Sequence, residues 1–372
     1  MTADTLDTRQ LNRALLARQG LLKRRRTPVA QAVHALAGLQ SQEPKDPFVA
    51  LWSRLSGFKG EQLRAAAQRH EIVRGSYLRA TIHTVSASDY LAFRPLLQPV
   101  IDRELTSVHR RSISGGFDGA QVEPLARALM AQRPMSAQAL GEALLPQFPG
   151  ANKAGLGHWV RTRVPLAIVP SDDRWGFPRP PRFVPAEQWL QRPLAPASLA
   201  QLLLRGIAAI GPASSADLRA WSALGGIKPV LESLRPQLRV FRDERGRELF
   251  DLSDAPRPRE DTPAPVRFLP EYDNVFLSHD DRARILLSRH NPHFTQTRNG
   301  RRLRAVLVDG FVRAAWSWQR VRDAATIRVQ MFETFAKATQ HEIGTEAEAL
   351  LRFLEPDADR HAVELIDVTG SR

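Results

Sequence analysis

The chain has no cysteine in its 372 residues. Disulfides and thiolate metal sites are therefore excluded. Its ten histidines show no His-x-His or His-x-x-x-His spacing, so neither a metal nor a cofactor is expected. No apolar run approaches the roughly 20 residues that cross a bilayer, and the N-terminus lacks a signal-peptide core. These absences lead to the expectation of a cytoplasmic, nucleoid-associated protein without a membrane partner. Lysine is also scarce. Only six of the 53 basic residues are lysine: Lys23, Lys45, Lys59, Lys153, Lys228 and Lys337.

What is present is an excess of positive charge, 53 basic against 39 acidic residues, formally +14. A GC-rich coding sequence would explain arginine in place of lysine, but not the excess itself. Arginine suits bidentate contacts to phosphate and guanine. A basic surface favours a polyanionic partner, with nucleic acid first. A hydrophobic content of 43% is that of a globular protein, and the length suits two to four domains.

Taken in order, the chain repeats one outline. Residues 8 to 20 read as a helix with Leu11, Leu15 and Leu16 on one face and Gly20 as its stop. Lys23, Arg24, Arg25 and Arg26 follow. A charge run is commonly a solvated loop, and its place between helices would also suit phosphate contacts. Thr27 and Pro28 read as the cap and first position of a second helix. After helices over 48 to 55 and 59 to 69, the stretch from Glu71 to Val85 is β-rich, with a turn or kink near Gly75. Leu78, Ala80 and Ile82 alternate with Arg79, Thr81 and His83, which predicts one polar strand face shared by Arg79 and His83.

Helices followed by a hairpin recur over 122 to 184 and 199 to 252. The proline-rich stretch from Asp254 to Pro265 reads as a linker. Beyond it the texture is β, with Asp309 and Gly310 as a hairpin turn and a closing helix over 340 to 353. The fold class read from this order is mainly α with β: three tandem winged-helix units followed by a C-terminal β-barrel. The units span residues 1–95, 96–192, 193–262 and 263–372.

The candidate functional stretch is Leu39, Gln40, Ser41 and Gln42. An apolar helix carrying Val29, Val33, Leu36 and Leu39 runs into two glutamines one residue apart. Pro44 and Pro47 then oppose further regular helix. Two polar residues can simply end a helix. Alternatively, two amides with one residue between them share a face of an extended segment.

The chain resembles the AlkZ/YcaQ-like winged-helix DNA glycosylase superfamily. The resemblance rests on Leu39 to Gln42 with Pro44 and Pro47, on Leu78 to Val85, on Phe268 to Arg282, and on Val306 to Trp318, in the family's order over nearly the whole length. It implies three winged helices and a C-terminal β-barrel around a concave channel for double-stranded DNA. The family's catalytic element is a glutamine, an aliphatic residue, then glutamine or aspartate. Gln40 and Gln42 fall on its outer positions and are expected to be catalytic. Ser41 departs from the aliphatic middle.

Glutamine has too little proton affinity to act as a general base. Its carbonyl can orient water and place partial negative charge near a developing oxocarbenium ion. Such modest help suits a leaving base that is already cationic, an N3- or N7-alkylated purine. The resemblance also implies tolerance of bulky adducts and interstrand crosslinks. The expected enzyme is a monomeric, monofunctional glycosylase that uses water as its nucleophile. Lys45 would lie in a solvated turn, its ammonium kept charged by Glu43 and Asp46. Arg79 and His83 either contact the DNA backbone or support the motif, or serve the hairpin alone. Asp273 would either approach the site or pair with Arg282, and bracing of loops is the favoured role for both. Trp175, in a wing turn, is the best candidate for stacking on a base. A second reading is a non-catalytic winged-helix transcriptional regulator, since Ser41 breaks the motif and fold alone does not set function. A third is an RNA-binding protein.

Overall fold

A computed structural model of the chain describes residues 4–108, 117–291 and 303–368. A short strand β1 (Thr5–Leu6) precedes helix α1 (Thr8–Arg18). Asp7 and Gln10 close a capping box at the start of α1, so two of its free amide groups are satisfied locally. Helix α2 (Val29–Ala35) starts after Pro28 with no side-chain cap. The expected Thr27 cap does not form, because its hydroxyl reaches Gln31 instead. Ala37 and Gly38, at φ of 54° and 95°, turn the chain out of α2 into strand β2 (Leu39–Gln40). Helix α3 (Asp46–Arg54) follows. Pro47 does not block it, because a proline in the first helical turn displaces no hydrogen bond.

Helix α4 (Gly60–Gln68) leads to β3 (Ile72–Ser76) and β4 (Ile82–Ser86). The three strands form a sheet of order β2-β4-β3, with β2 and β3 each antiparallel to β4. The alternation expected through 78 to 80 does not occur. Residues Leu78–Ala80 form a 3-10 turn with Arg79 and Ala80 left-handed, at φ of 55° and 56°. Helices α5 (Ala87–Phe93) and α6 (Gln98–Val108) complete this part.

Helices over Gly119–Gln132, Ala137–Leu144 and Lys153–Arg163 precede the hairpin of β5 (Leu166–Ile168) and β6 (Phe183–Pro185). Helices over Leu199–Ile210, Ser215–Ser222 and Ile227–Leu234 precede β7 (Leu238–Asp243) and β8 (Glu248–Leu252). Strand β1 extends this last hairpin, pairing in parallel with β7.

The C-terminal part is an open sheet, not a barrel. Its order is β13-β12-β11-β10-β9, formed by β9 (Arg267–Phe268), β10 (Arg304–Val308), β11 (Phe311–Val321), β12 (Ala324–Met331) and β13 (Arg360–Asp367). The expectation of closure fails because β13 joins β12 in parallel. A parallel pair needs a long crossover, here the Lys337–Leu354 helix. That helix buries Ile343, Ala347, Leu350, Leu351 and Leu354 and covers the face that closure would have enclosed. Among the described residues the edge strands β9 and β13 do not meet.

Apolar packing runs through the whole chain. Leu15, Tyr77, Tyr90, Ile207, Trp221, Leu307 and Val312 lie in one continuous core. Buried ion pairs lock the same segments together: Arg18 with Asp251 at 2.7 Å and Arg54 with Asp273 at 2.7 and 2.9 Å. Asn274 Nδ2 donates to the carbonyls of Leu36 and Gly38 at 3.1 and 2.9 Å. It thereby fixes the bend that delivers β2.

Candidate active site

In the β2–β4 pair Leu39 lies opposite Thr84 and Gln40 opposite His83. Gln40 is buried, with 7% of its surface exposed, and Gln42 is exposed. Arg79 Nη2 donates to Gln40 Oε1 at 3.0 Å. Arginine offers only donors, so this contact fixes the orientation of the Gln40 amide. The Ile82 backbone amide donates to Gln42 Oε1 at 3.3 Å and fixes the second amide in the same way. Each side-chain carbonyl thus accepts one hydrogen bond from the protein and keeps its other lone pair.

Arg79 also donates to the Trp221 carbonyl at 2.5 Å and to His83 Nε2 at 3.3 Å. His83 Nδ1 donates to the Thr81 carbonyl at 3.1 Å, which leaves Nε2 as the acceptor Arg79 needs. Burial pushes His83 down to about 3, with help from Arg79 and against the Thr81 carbonyl. The imidazole is therefore neutral at ordinary pH. Gln40, Arg79 and His83 come together, and the left-handed turn at Arg79, not strand alternation, brings them there.

Ser41 is fully buried. A polar residue at such a place needs a partner. Thr84 Oγ1 donates to Ser41 Oγ at 3.2 Å, and the Ser41 amide donates to the Ile82 carbonyl at 2.8 Å. Arg74 holds the Ser41 carbonyl from behind, through Nη2 at 2.7 Å and Nε at 3.1 Å. Its guanidinium rests 5.0 Å from the centre of the Phe177 ring. Burial pushes Arg74 down to about 10, with Arg179 adding to the effect and Glu43 and Asp46 opposing it.

Two residues just beyond the motif differ from expectation. Asp46 is not a solvated carboxylate. It is 2% exposed, and its Oδ2 has no hydrogen-bond partner among the described residues. Burial raises its pKa to about 7, with Glu271, Glu43 and Asp273 adding to the effect and Arg304 opposing it. Lys45 is half-buried, not solvated. Its ammonium lies 5.5 Å from the centre of the Trp175 ring and 4.9 Å from that of Trp318. Burial lowers its pKa; Arg304 and Arg174 add to this, while Glu355 and Glu43 oppose it.

Apart from Trp175, which lies against Lys45, the remaining candidates make their contacts away from the motif. Arg24 lies over Trp52 at 4.5 Å and pairs with Glu346 at 2.6 Å. Arg25 donates to the Ala17 carbonyl at 2.5 Å, at the end of α1. Arg26 is exposed and borders a cleft with Phe58 and Arg69. Asp273 pairs with Arg54, not with Arg282, and caps the Asn274–Leu277 helix. Arg282 is half-buried, and its Nε has no partner among the described residues. Trp175 packs edge-on against Phe48 at 5.2 Å.

Sequence reasoning missed Arg74, Thr84 and Asp46. The only sequence signal for them was position: Arg74 and Thr84 lie on the strands that pair around the motif, and Asp46 lies four residues after Gln42. Among the described residues no group of acidic or histidine side chains is placed to hold a metal ion. No helix among them is long and apolar enough to cross a membrane.

A family model described as "DNA glycosylase AlkZ-like" matches residues 33–353. Among solved structures the fold is similar to that of Streptomyces sahachiroi DNA glycosylase AlkZ, with a TM-score of 0.76 at 16% sequence identity, covering 97% of this chain and 100% of that one. No curated protein matches the chain in sequence. The family match spans the glutamine motif, the hairpin that braces it and most of the open sheet, and it favours an enzyme acting on DNA over a regulator that only binds it. The chain belongs to the AlkZ-like DNA glycosylase family.

Proposed function

We propose that the chain is a monofunctional glycosylase for cationic alkylated purines, working as a monomer on double-stranded DNA through Gln40 and Gln42. Three winged-helix units, over 1–95, 96–192 and 193–262, would present the motif to the duplex. The observation that carries this reading is the pair of fixed amides at the end of β2. Two side-chain carbonyls, each with a lone pair left, can accept both O–H groups of one water. They also place partial negative charge near the cationic sugar. The water oxygen bonds to C1′ as the N-glycosidic bond breaks. The bond's electron pair leaves with the base, which departs neutral because it carried the positive charge, and the water proton passes to solvent.

No group in the motif has the proton affinity to drive out an unactivated base. This supports N3- and N7-alkylated purines as substrates over normal bases or uracil. Gln42 is exposed, so its amide is open to a duplex at the surface. Bulky adducts and crosslinked bases fit a site of that kind.

Duplex DNA containing N7-methylguanine tests the reading by release of the free base. Gln40→Ala and Gln42→Ala are each expected to lower single-turnover release at least tenfold, with DNA affinity within about twofold of the parent. Wild-type release by the double variant would remove the motif from the mechanism. The product strand is expected to carry an intact abasic site. Strand cleavage without added base, or an adduct trapped by borohydride, would mark an amine nucleophile instead.

A further inference from the structure

Trp316 and Trp318 lie two residues apart on β11, stacked at 5.4 Å, on the sheet face that Arg304 of β10 shares. Arg304 pairs in register with Trp316, and its guanidinium lies 4.9 Å from the centre of the Trp318 ring. The Lys45 ammonium lies over the same ring, also at 4.9 Å. Two cations from distant parts of the chain therefore lie over one indole, and Lys45 is three residues past Gln42 in the sequence.

Like charges so placed repel one another, and Arg304 helps to lower the pKa of Lys45. No carboxylate pairs with either of them within 4 Å among the described residues. The acids nearby are engaged elsewhere or neutral. Glu355 accepts from Trp318 Nε1 at 3.2 Å and pairs with Arg320 and Arg174 at 3.5 and 3.7 Å. Glu43 pairs with Arg179. Asp46 is largely protonated below about 7. Lys45 and Arg304 are both only partly buried, so an anion arriving from solvent can reach them. Their tryptophan floor holds the charges in place and limits competing water.

We propose that Lys45 and Arg304 together clamp one backbone phosphodiester of the DNA beside the glutamine pair. A phosphate between them supplies a direct countercharge, and as a charge-assisted contact it fixes the strand's register. Lys45 is thereby a strand-positioning cation and not a nucleophile. The inference rests on the site reading above, and its test reads binding to undamaged duplex, which is independent of base release.

Affinity for an undamaged duplex is measured at several salt concentrations in the parent, Lys45→Gln, Arg304→Gln and the double variant. One phosphate contact contributes about 0.9 to the slope of log affinity against log salt. Each single variant is expected to lose about that much slope, and the double variant no more, because both residues serve one phosphate. Lys45→Arg keeps the charge and is expected to restore the parent slope, which controls for folding. Unchanged slopes in both single variants would overturn the proposal, and so would a double variant that loses twice as much. Parent affinity with no base release in Lys45→Arg would make Lys45 the nucleophile. Stabilisation by inorganic phosphate without any change in DNA slope would mark a free-anion site, which also overturns the assignment.

Discussion

Gln40 and Gln42 look equivalent in the sequence but have different surroundings. Gln40 is buried against Arg79. A cationic donor on its carbonyl drains part of the negative charge that would stabilise a sugar cation. Gln42 accepts only from a neutral backbone amide and is exposed, so it is the better placed of the two to meet the substrate. Asp46, four residues on, makes a sharper prediction. Its folded pKa of about 7 lies above the ordinary aspartate value of 3.8, so the folded state binds the extra proton between those values. Its contribution to stability is present below the unfolded pKa and is lost as pH rises through 7. Asp46→Asn removes that loss. The variant is expected to melt higher than the parent by roughly 2–5 °C at pH 8, with a clearly smaller gain at pH 5. Equal shifts at the two pH values would show that Asp46 is ionised in the fold throughout.

The turn joining β10 and β11 shows what an element can encode. Asp309 and Gly310 both adopt left-handed backbone, at φ of 51° and 82°, which is the geometry of a tight hairpin. The sequence announces this turn. It does not announce that α1 packs directly onto it. Arg13 Nη2 pairs with Asp309 at 2.5 Å, and Asn12 Nδ2 donates to the Gly310 carbonyl at 2.7 Å. A Cβ on Gly310 would come within 2.5 Å of Asn12 and 2.6 Å of Arg13. Gly310→Ala therefore meets both backbone strain and a close contact. It is expected to cost about 2 kcal/mol or more, read as a drop in the denaturation midpoint. A neutral effect would mean that α1 and the hairpin are not tightly joined. The same sheet shows where element-level reading fails. Residues 360–367 carry a mixed pattern with Arg360, His361, Glu364 and Asp367, and nothing local marks them as the strand that pairs beside β12.

For the whole molecule, the count of 53 basic residues overstates what is free for a partner. Arg18, Arg54 and Arg24 are tied to Asp251, Asp273 and Glu346, so part of the basic run at 23–26 braces the fold. The surplus still predicts a steep, linear fall of log affinity with log salt and little preference among undamaged sequences. Titrations of unrelated duplexes at matched salt check this. A single operator bound far more tightly than the rest would contradict it.

The sequence by itself determined the order of helices and hairpins, the two glutamines, the Asp309–Gly310 turn and the basic character. These depend on local rules of period, turn chemistry and charge, which act within a few residues. Tertiary structure decided the rest. The partner of Ser41 is Thr84, more than 40 residues away in the chain. Arg79 reaches Gln40 through a left-handed turn, and Lys45 and Arg304 meet on Trp318 across most of the molecule. The open sheet replaced a barrel because one helix covered the face that closure needed. Such outcomes depend on which distant surfaces pack together, and desolvation of Asp46, His83 and Lys45 follows only once they have done so.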